Sequence, residues 1–282
     1  MNLPPGAAPA APFFLESGTG LGFCLFHPPL GVCRGALLYV HPFGEEMNRS
    51  RRMAALQARE LAALGYGVLQ IDLHGCGDSS GDFGDARWDL WKHNLAAGAA
   101  WLRQRCGQPV TLWGLRLGAL LALDYARSAP HPLAALILWQ PVTSGAVHLT
   151  QFLRLRIAAD LLANTPGQPA GTVALRAALQ SGAVLEIGGY DLAPELAAAI
   201  DVLDAAELAP ACPVHWFEAV GGAGRALPPG AERIAAAWRH QGVELHLHAV
   251  QCAPFWSTPE VSVCTAWLAA TSAVLRVASH AI

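Results

Sequence analysis

An arginine stands between two flanking glycines in the turn Gly114-Leu115-Arg116-Leu117-Gly118, directly after the apolar run 110–113. A Gly-x-x-x-Gly turn between a strand and a helix lifts its central side chain above the carboxyl edge of a parallel sheet. The guanidinium of Arg116 stays protonated and has no lone pair with which to attack a carbonyl. At the start of a helix, where unpaired N–H groups carry partial positive charge, it would instead favour a carboxylate, phosphate or sulfate.

Two adjacent carboxylates, Glu45 and Glu46, follow the apolar segment 36–40, which we predict as a buried strand. The carboxyl ends of neighbouring parallel strands meet at one edge of a sheet, so either side chain could contact Arg116. One of them could form an internal ion pair with Arg116, cap the helix that begins near Arg49, or act as a general acid or base on water. Two carboxylates at this edge would also repel a developing oxyanion, which argues against acyl transfer.

The loops after the last two predicted strands lack the acid and the histidine that would activate a nucleophile. After the strand at 213–220 the chain continues Gly221-Gly222-Ala223-Gly224, and the nearest carboxylate is Glu218 near the strand's end. After the strand at 244–250 the next residues include Cys252-Ala253-Pro254-Phe255-Trp256, without a histidine. A nucleophile, an acid and a base are thus all missing from their expected places.

The segment His74-Gly75-Cys76-Gly77-Asp78-Ser79 gathers side chains that could bind a metal or react. We favour a tight, glycine-shaped turn in which Asp78 accepts hydrogen bonds from backbone N–H groups. A second hypothesis makes Cys76 a replacement nucleophile with His41 or His74 as its base, and makes His74 a ligand contact. No second ligand pair with zinc spacing follows, so we predict neither a metal site nor a bound cofactor.

Aromatic side chains fall at or after the carboxyl ends of several predicted strands, where ligands bind in open α/β sheets. They are Phe43, Trp113, Trp139, Trp216 and Trp256. Such rings suit a sugar ring, a lipid tail or an aromatic group, although large aromatic residues equally fill a core.

A short helical stretch in the middle of the chain carries the polar side chains Gln151, Arg154 and Arg156. Helical spacing projects Arg154 near Gln151, while Arg156 points elsewhere. Arg154 could therefore reach an anionic ligand from above the sheet. The alternative is a solvated or salt-bridged helix face.

Short apolar runs alternate with amphipathic segments along most of the chain, the pattern of a parallel sheet covered by helices. We predict strands at 13–17, 22–27, 36–40, 67–72, 110–113, 134–139, 213–220 and 244–250. Helices are expected at about 51–64, 88–103, 116–128 and 230–241, and from about Pro259 onward. Between about 141 and 204 the alternation lapses into a mostly helical region, the expected lid insertion of a single α/β domain spanning 1–282.

The 282 residues are 53% hydrophobic and only 14% charged, with a formal net charge of −3. The scattered Lys and Arg residues lack the basic excess that binding nucleic acid requires. Seven cysteines without tight pairing spacing favour free thiols in a reducing compartment. Because we find no basic, apolar leader and no unbroken apolar stretch of membrane length, we expect a soluble cytoplasmic protein without a membrane span.

Five stretches together carry a resemblance to a known family: HPFGEEMNRSRRM (41–53), DLHGCGDSSGDF (72–83), LWGLRLGALLA (112–122), QFLRLR (151–156) and PFWSTPEV (254–261). Over nearly its whole length the chain resembles the exosortase A system-associated hydrolase 2 family, a branch of the α/β-hydrolases. The resemblance implies an α/β-hydrolase fold and makes Arg116 a feature of the family. It also implies a role near bacterial exosortase and exopolysaccharide genes, although fold alone does not give the reaction.

Two functions from different classes fit these observations. The first is a hydrolase without the standard triad, acting on an ester or acyl substrate, with Glu45 or Glu46 as base and Arg116 holding an anionic or carbonyl group. The second is a catalytically inactive pseudo-hydrolase that binds an anionic ligand or a partner protein through Arg116. The expected partner is a small-molecule, acyl or saccharide ligand, and the sequence leaves the oligomeric state open.

Overall fold

A computed structural model describes residues 8–18, 20–162, 171–222, 225–258 and 260–278. Its main sheet is built from Ala11–Glu16 (β1), Leu21–His27 (β2), Gly35–Val40 (β3), Tyr66–Ile71 (β4), Val110–Leu115 (β5), Ala135–Trp139 (β6), Val214–Val220 (β9) and Leu245–Gln251 (β10). The strands lie in the order β1-β2-β4-β3-β5-β6-β9-β10. The β1–β2 and β2–β4 pairs are antiparallel, and all other neighbours in this sheet are parallel.

Helices cover both faces of this sheet. The described residues form α1 (Glu45–Ala63), α2 (Trp88–Cys106), α3 (Leu117–Ser128), α4 (Gly145–Leu162), α5 (Thr172–Gln180), α6 (Pro194–Asp201), α7 (Pro229–His240) and α8 (Thr265–Ala278). The core cluster on one face contains residues of α1 and α8, and the cluster on the other face contains residues of α2, α3 and α7. The sheet is therefore the middle layer of three.

The central strands are buried on both sides, which explains why they could be recognised in the sequence. In β3 the successive residues Leu37 and Leu38 are both fully buried, and they belong to the two different core clusters. Every residue of β5 is buried as well. Parallel strands that are covered on both faces consist of continuous apolar runs rather than an alternating pattern.

An insertion separates β6 from β9. It contains α4, α5 and α6 and also a two-stranded hairpin of β7 (Leu185–Ile187) and β8 (Tyr190–Leu192), which the prediction of a mostly helical segment missed. The hairpin turns at Gly188 and Gly189, both of which have positive φ. Residues 163–170 of the predicted lid lie outside the described part of the chain.

Two helices begin elsewhere than predicted. Helix α1 begins at Glu45 rather than near residue 51, so Glu45 and Glu46 lie in its first turn and not in a loop. No side chain of the preceding residue, Gly44, can cap it, and the two glutamates supply negative charge at its amino end instead. Helix α8 begins at Thr265, while Pro259 lies outside the described residues.

Candidate functional site

The turn at residues 114–118 is a sharp corner between β5 and α3. Arg116 has φ 55° and ψ −119°, a conformation that residues other than glycine seldom adopt. A Cβ atom on Gly114 would collide with the backbone of Ala119, and one on Gly118 with the carbonyl groups of Val40 and His41. The two glycines therefore let α3 start against β5 and β3, and this corner presents Arg116 at the carboxyl edge of the sheet.

Glu46 is the internal partner of Arg116. Its Oε1 accepts a hydrogen bond from Nε of Arg116 at 3.2 Å, and the two side chains are only 22% and 17% exposed, respectively. Burial raises the pKa of Glu46, and the charge and hydrogen bond of Arg116 oppose that rise. The second carboxylate oxygen, Oε2, is buried with no hydrogen-bond partner among the described residues. Of the two glutamates considered from the sequence, it is thus Glu46 that forms the ion pair.

Glu45 faces the insertion rather than the elbow. Its Oε2 accepts hydrogen bonds from the Tyr190 hydroxyl at 3.2 Å and from Nδ2 of Asn48 at 3.1 Å. Its Oε1 lies 3.7 Å from Nε of Arg49, one turn further along α1. Glu45 therefore connects α1 to β8, and it is Glu46 that pairs with Arg116.

The guanidinium of Arg116 also lies over an aromatic ring. Its Cζ atom is 5.7 Å from the ring centroid of Trp256, which follows β10. Arg49 holds this segment against α1, because its Nη1 donates to the carbonyl groups of Ser257 and Thr258 at 3.1 and 2.8 Å. Of the Arg116 nitrogens only Nε is bonded to a described residue, so the two terminal nitrogens keep their donors for a ligand.

A cavity of about 460 Å³ opens above this pair, between the sheet edge and the insertion. That volume lies within the range typical of small-molecule sites. Its polar lining is Glu45, Glu46, Arg49, Arg116, His148, Gln151, Tyr190 and Ser257, and its apolar lining is Phe43, Phe152, Leu155, Ile187 and Trp256. The residues singled out in the sequence that come together here are Phe43, Glu45, Glu46, Arg116, Gln151 and Trp256.

His148 is a cavity residue that the sequence did not reveal. It lies on α4, is only 8% exposed, and packs edge-on against the ring of Phe43 at 5.6 Å between centroids. Its Nε2 is buried without a hydrogen-bond partner among the described residues. Burial and the charge of Arg116 lower its pKa to about 3, so the imidazole is neutral at physiological pH.

A second hydrogen-bonded pair, Gln140 and Glu218, lies at the ends of the neighbouring strands β6 and β9. Oε2 of Glu218 accepts from Nε2 of Gln140 at 2.6 Å, and its Oε1 accepts from Nε1 of Trp216 at 2.7 Å. Burial raises the pKa of Glu218, whereas these hydrogen bonds and Arg116 lower it. Both oxygens of Glu218 thus accept from neutral donors, and within the described part of the chain neither accepts from a histidine.

The structure does not support the hypothesis that Cys76 is a replacement nucleophile. Burial raises the pKa of its thiol to about 12, so the thiol remains protonated and unreactive. His41 cannot act as its base: Nε2 accepts from the backbone N–H of Leu73 at 3.0 Å, which leaves Nδ1 to donate to the Pro42 carbonyl at 2.8 Å. No hydrogen bond among the described residues joins His74 to Cys76, and His74 does not line the cavity.

The turn around Cys76 is held by Asp72 rather than by Asp78. Oδ2 of Asp72 accepts from the backbone N–H of Asp78 and from Nη2 of Arg51, both at 3.1 Å. The backbone carbonyl of Asp72 accepts from Oγ of Ser79. The prediction of a tight, hydrogen-bonded turn holds, but the carboxylate that satisfies the backbone comes from the end of β4.

Three of the five aromatic candidates lie away from the cavity. Trp113 and Trp139 are fully buried between the sheet and the α1–α8 layer, with their ring centroids 4.7 Å apart. Trp216 is fully buried on the other face against Trp238. Their positions within the strands point these rings into the helix layers, whereas Phe43 and Trp256, which follow strand ends, line the cavity.

The polar residues of α4 divide between the cavity and the surface. Gln151 lines the cavity, but Arg154 is exposed and does not. Arg156 bonds to Asp160 at 3.0 Å and lies 3.6 Å from the carboxylate of Glu186, so it attaches α4 to β7. The suggestion that Arg154 contacts a ligand is therefore not supported by its position.

The described residues contain no group of three or more His, Cys, Asp or Glu side chains arranged to hold a metal ion. In the same part of the chain, no helix combines the length and the apolar character that a membrane crossing needs. The side chains of the cavity themselves offer one available guanidinium fork, carboxylates, a neutral imidazole, a phenol and an amide.

A family model described as serine aminopeptidase, S33, matches residues 31–181 of the 282, from the start of β3 through α5. The chain belongs to this family. The matched region contains the elbow, the two glutamates of α1 and helix α4, whereas Glu218 and Trp256 lie beyond it.

Solved structures extend the likeness of this S33-family chain over nearly its full length. The ferulic acid complex of Est1E from Butyrivibrio proteoclasticus is 15% identical, with a TM-score of 0.68 and coverage of 93% of this chain and 97% of that one. A soluble variant of monoglyceride lipase from Saccharomyces cerevisiae, in complex with a substrate analogue, is 17% identical, with a TM-score of 0.64 and coverage of 98% and 96%. Curated proteins yielded no match. The predicted α/β-hydrolase fold is confirmed.

This member of the S33 family differs from the family's description at the decisive position. Arg116 stands where a serine is expected at the elbow, and among the described residues no hydrogen bond joins a serine to a histidine in the cavity. The one serine of the lining, Ser257, donates to the Pro254 carbonyl instead. The elbow side chain therefore cannot form an acyl-enzyme.

Proposed function

We propose that this chain binds an anionic small molecule at the elbow and does not use a serine nucleophile. The observation that carries the proposal is the placement of Arg116, with Nε on Glu46 and its terminal nitrogens available to the cavity. A guanidinium held by one ion pair and one aromatic ring is a pre-organised fork for two-point hydrogen bonding to a carboxylate or phosphate. The ligand would take the place that an acyl group occupies in a serine esterase of this fold.

The resemblance to the exosortase A system-associated hydrolase 2 family supports a biological setting for this ligand. We propose an acyl or saccharide compound from exopolysaccharide or exosortase-linked metabolism, in a pseudo-hydrolase whose α4–α6 insertion acts as its lid. The lid assignment is supported by His148, Gln151 and Tyr190, since the insertion supplies these polar residues to the cavity.

Calorimetric titration with acetate, benzoate, ferulate and inorganic phosphate tests the proposal. At least one of these anions should bind the wild type. In Arg116→Gln its Kd should rise by about tenfold to a hundredfold, because charge-assisted hydrogen bonds of about 1.5–3 kcal/mol are lost. Arg154→Gln is the matched control, since it removes an arginine that is exposed on α4 outside the cavity.

The Arg116→Gln variant leaves the charge of Glu46 without its partner, so the test also needs a variant in which both members of the pair are neutral. The double variant Arg116→Gln/Glu46→Gln removes both charges and should still bind more weakly than the wild type while remaining folded by circular dichroism. Equal affinity of wild type and both Arg116 variants, or no binding of any of the four anions, would contradict the proposal.

A second function, hydrolysis by activated water, is favoured by one observation. Burial raises the pKa of Glu46 in the cavity, as a general base for neutral pH requires. Hydrolysis of p-nitrophenyl esters that is lost in Glu46→Gln and kept in Arg154→Gln would support this function over binding alone. Glu45, which is exposed and bonded to Tyr190 and Arg49, is the weaker candidate for the base.

A further inference from the structure

The charges around the cavity limit the charge of the ligand. Two cations, Arg49 and Arg116, face two carboxylates, Glu45 and Glu46, in the cavity lining. Arg49 already contacts Glu45 and donates to two backbone carbonyl groups, so the guanidinium of Arg116 is the one left for the ligand. A dianion such as a phosphate monoester would bring a second negative charge next to Glu46 without a second cation to balance it.

The cavity offers an apolar wall beside its polar groups. Arg116 lies at the sheet edge and His148 lies on α4, while Phe152, Leu155 and Ile187 from the insertion supply the apolar wall. Leu155 is more than half exposed, so this wall continues to the surface of α4. A ligand that fills the site therefore needs a compact polar head and an apolar chain or ring.

His148 adds a specific donor to the head site. Its Nε2 is buried beside the cavity without a partner among the described residues, which is costly unless a ligand or water meets it. A neutral imidazole with its proton on Nε2 donates one hydrogen bond and adds no charge. Together with the Arg116 fork it can hold a planar, singly charged group.

From this placement we propose that the ligand is an amphiphilic monocarboxylate, with its carboxylate on Arg116 and His148 and its apolar tail along Phe152, Leu155 and Ile187. This inference rests on the proposed function and names the class of ligand for the same site. Under this proposal, phosphate esters and short polar acids bind more weakly than an amphiphilic monocarboxylate does.

Glu46 makes binding depend on pH. A carboxylate on Arg116 adds a negative charge beside Glu46, and Glu46 responds by taking up a proton. The groups around this pair are Tyr39 on β3, His148 on α4 and Glu218 on β9, together with Arg49 and Glu45 of α1, which pair with each other. Burial keeps Tyr39 and His148 uncharged, and the two oxygens of Glu218 already accept from Gln140 and Trp216. Glu46, in direct contact with Arg116, is therefore the group that accepts the proton. Affinity should therefore fall as pH rises, by at most about tenfold per pH unit.

The test is calorimetry with four probes: octanoate, acetate, octyl phosphate and 1-octanol, each with the wild type and Arg116→Gln. Octanoate should bind the wild type at least about a hundredfold tighter than acetate, since each fully buried methylene contributes about fourfold. It should also bind at least about tenfold tighter than 1-octanol, which cannot form the charge-assisted hydrogen bond, and tighter than octyl phosphate, whose second negative charge is repelled by Glu46.

The outcomes separate this inference from the proposed function. If octyl phosphate or acetate binds as tightly as octanoate, and binding still needs Arg116, the ligand class is wrong and anion binding stands. If 1-octanol equals octanoate, or if Arg116→Gln binds octanoate as well as the wild type does, both fail.

The Glu46→Gln variant tests whether proton uptake by Glu46 causes the pH dependence of binding. It keeps an oxygen acceptor for Nε of Arg116 and removes the competing charge, so it should bind octanoate more tightly than the wild type at pH 8 and with no pH dependence. His148→Phe, which keeps the ring but removes the donor, should weaken octanoate binding by about tenfold. A wild-type affinity that is constant between pH 6 and 8 would overturn the role of Glu46, and unchanged binding in His148→Phe would overturn that of His148.

Discussion

Arg116 keeps the backbone conformation of a nucleophile elbow although its side chain cannot attack. Positive φ costs a residue other than glycine about 1–3 kcal/mol, so the surroundings must enforce it. The N–H of Arg116 donates to the Trp139 carbonyl at 3.0 Å, and its own carbonyl accepts from Val142 at 3.2 Å. Gln140, at the end of the neighbouring strand, also has positive φ, of 42°. Both strained residues lie at the carboxyl edge of the sheet, where function is expected.

At the same scale, the wild-type protein should not be labelled by a fluorophosphonate probe. Labelling needs a serine with a base in hydrogen-bond contact, and Ser257, the serine of the cavity lining, donates to a backbone carbonyl instead. Mass spectrometry after incubation checks this, with an active serine esterase as the positive control. A labelled peptide containing Ser257 would show that the cavity holds a nucleophile after all.

At the scale of elements, the first turn of α1 gives two adjacent carboxylates different degrees of solvent exposure. The partial positive charge at the helix start favours the ionised form of both. Glu45 is exposed and forms surface contacts, whereas Glu46 turns inward to Arg116, and there burial outweighs the helix and the arginine and raises its pKa. Because the helix begins at Glu45, the two side chains leave it about 100° apart and meet different partners.

The close approach of α3 to β3 predicts that Gly118→Ala is strongly destabilising. A Cβ atom at this second residue of α3 would meet the backbone carbonyl groups of Val40 and His41, which cannot move aside as a side chain could. Overpacking of this kind lowers the free energy of unfolding by about 1–3 kcal/mol or more. Urea denaturation measures the loss.

The matched control for this substitution is Gly230→Ala. Gly230 is likewise the second residue of its helix, α7, and a Cβ atom there would meet nothing within 4 Å. Alanine at this position should be neutral or stabilise the protein by about 0.5–1 kcal/mol. If both substitutions changed stability equally, the corner would not depend on the contact between α3 and β3.

At the scale of the whole molecule, buried histidines make the fold sensitive to acid. Burial lowers the pKa of His148 to about 3 and that of His215 to about 4. A histidine whose folded pKa lies below its unfolded value of about 6.5 binds fewer protons when folded. Its contribution is therefore complete above about pH 6.5 and is lost as the pH falls toward the folded pKa.

His148→Gln should flatten the acid side of the stability profile. Relative to the wild type, its free energy of unfolding should improve by about 1.4 kcal/mol for each pH unit between about 6 and 4, since one titrating group is removed. Urea denaturation from pH 4 to 7.5 measures this difference. His93→Gln, which replaces an exposed histidine on α2, is the control. Parallel profiles for wild type and His148→Gln would show that this ring does not resist protonation.

Much of the fold followed from local patterns. The central strands β3 and β5 are continuous apolar runs because helices cover both of their faces, and the Gly114–Gly118 spacing marks the corner because only glycine fits there. The hairpin of β7 and β8 escaped prediction, since three-residue strands are too short to show a period. The three buried tryptophans were misplaced because a strand position alone does not say which layer a ring enters.

The candidate site divides in the same way. The sequence by itself determined that a permanent cation stands at the elbow and that the residues directly after the last two strands lack the acid and the histidine, because residue type and short-range spacing decide both. Only the tertiary structure decided that Glu46 rather than Glu45 pairs with Arg116, and that His148 and Tyr190 join the cavity. The physical reason is that these contacts connect residues far apart in the chain, so strand order, helix start and side-chain direction must all be set before the partners can meet.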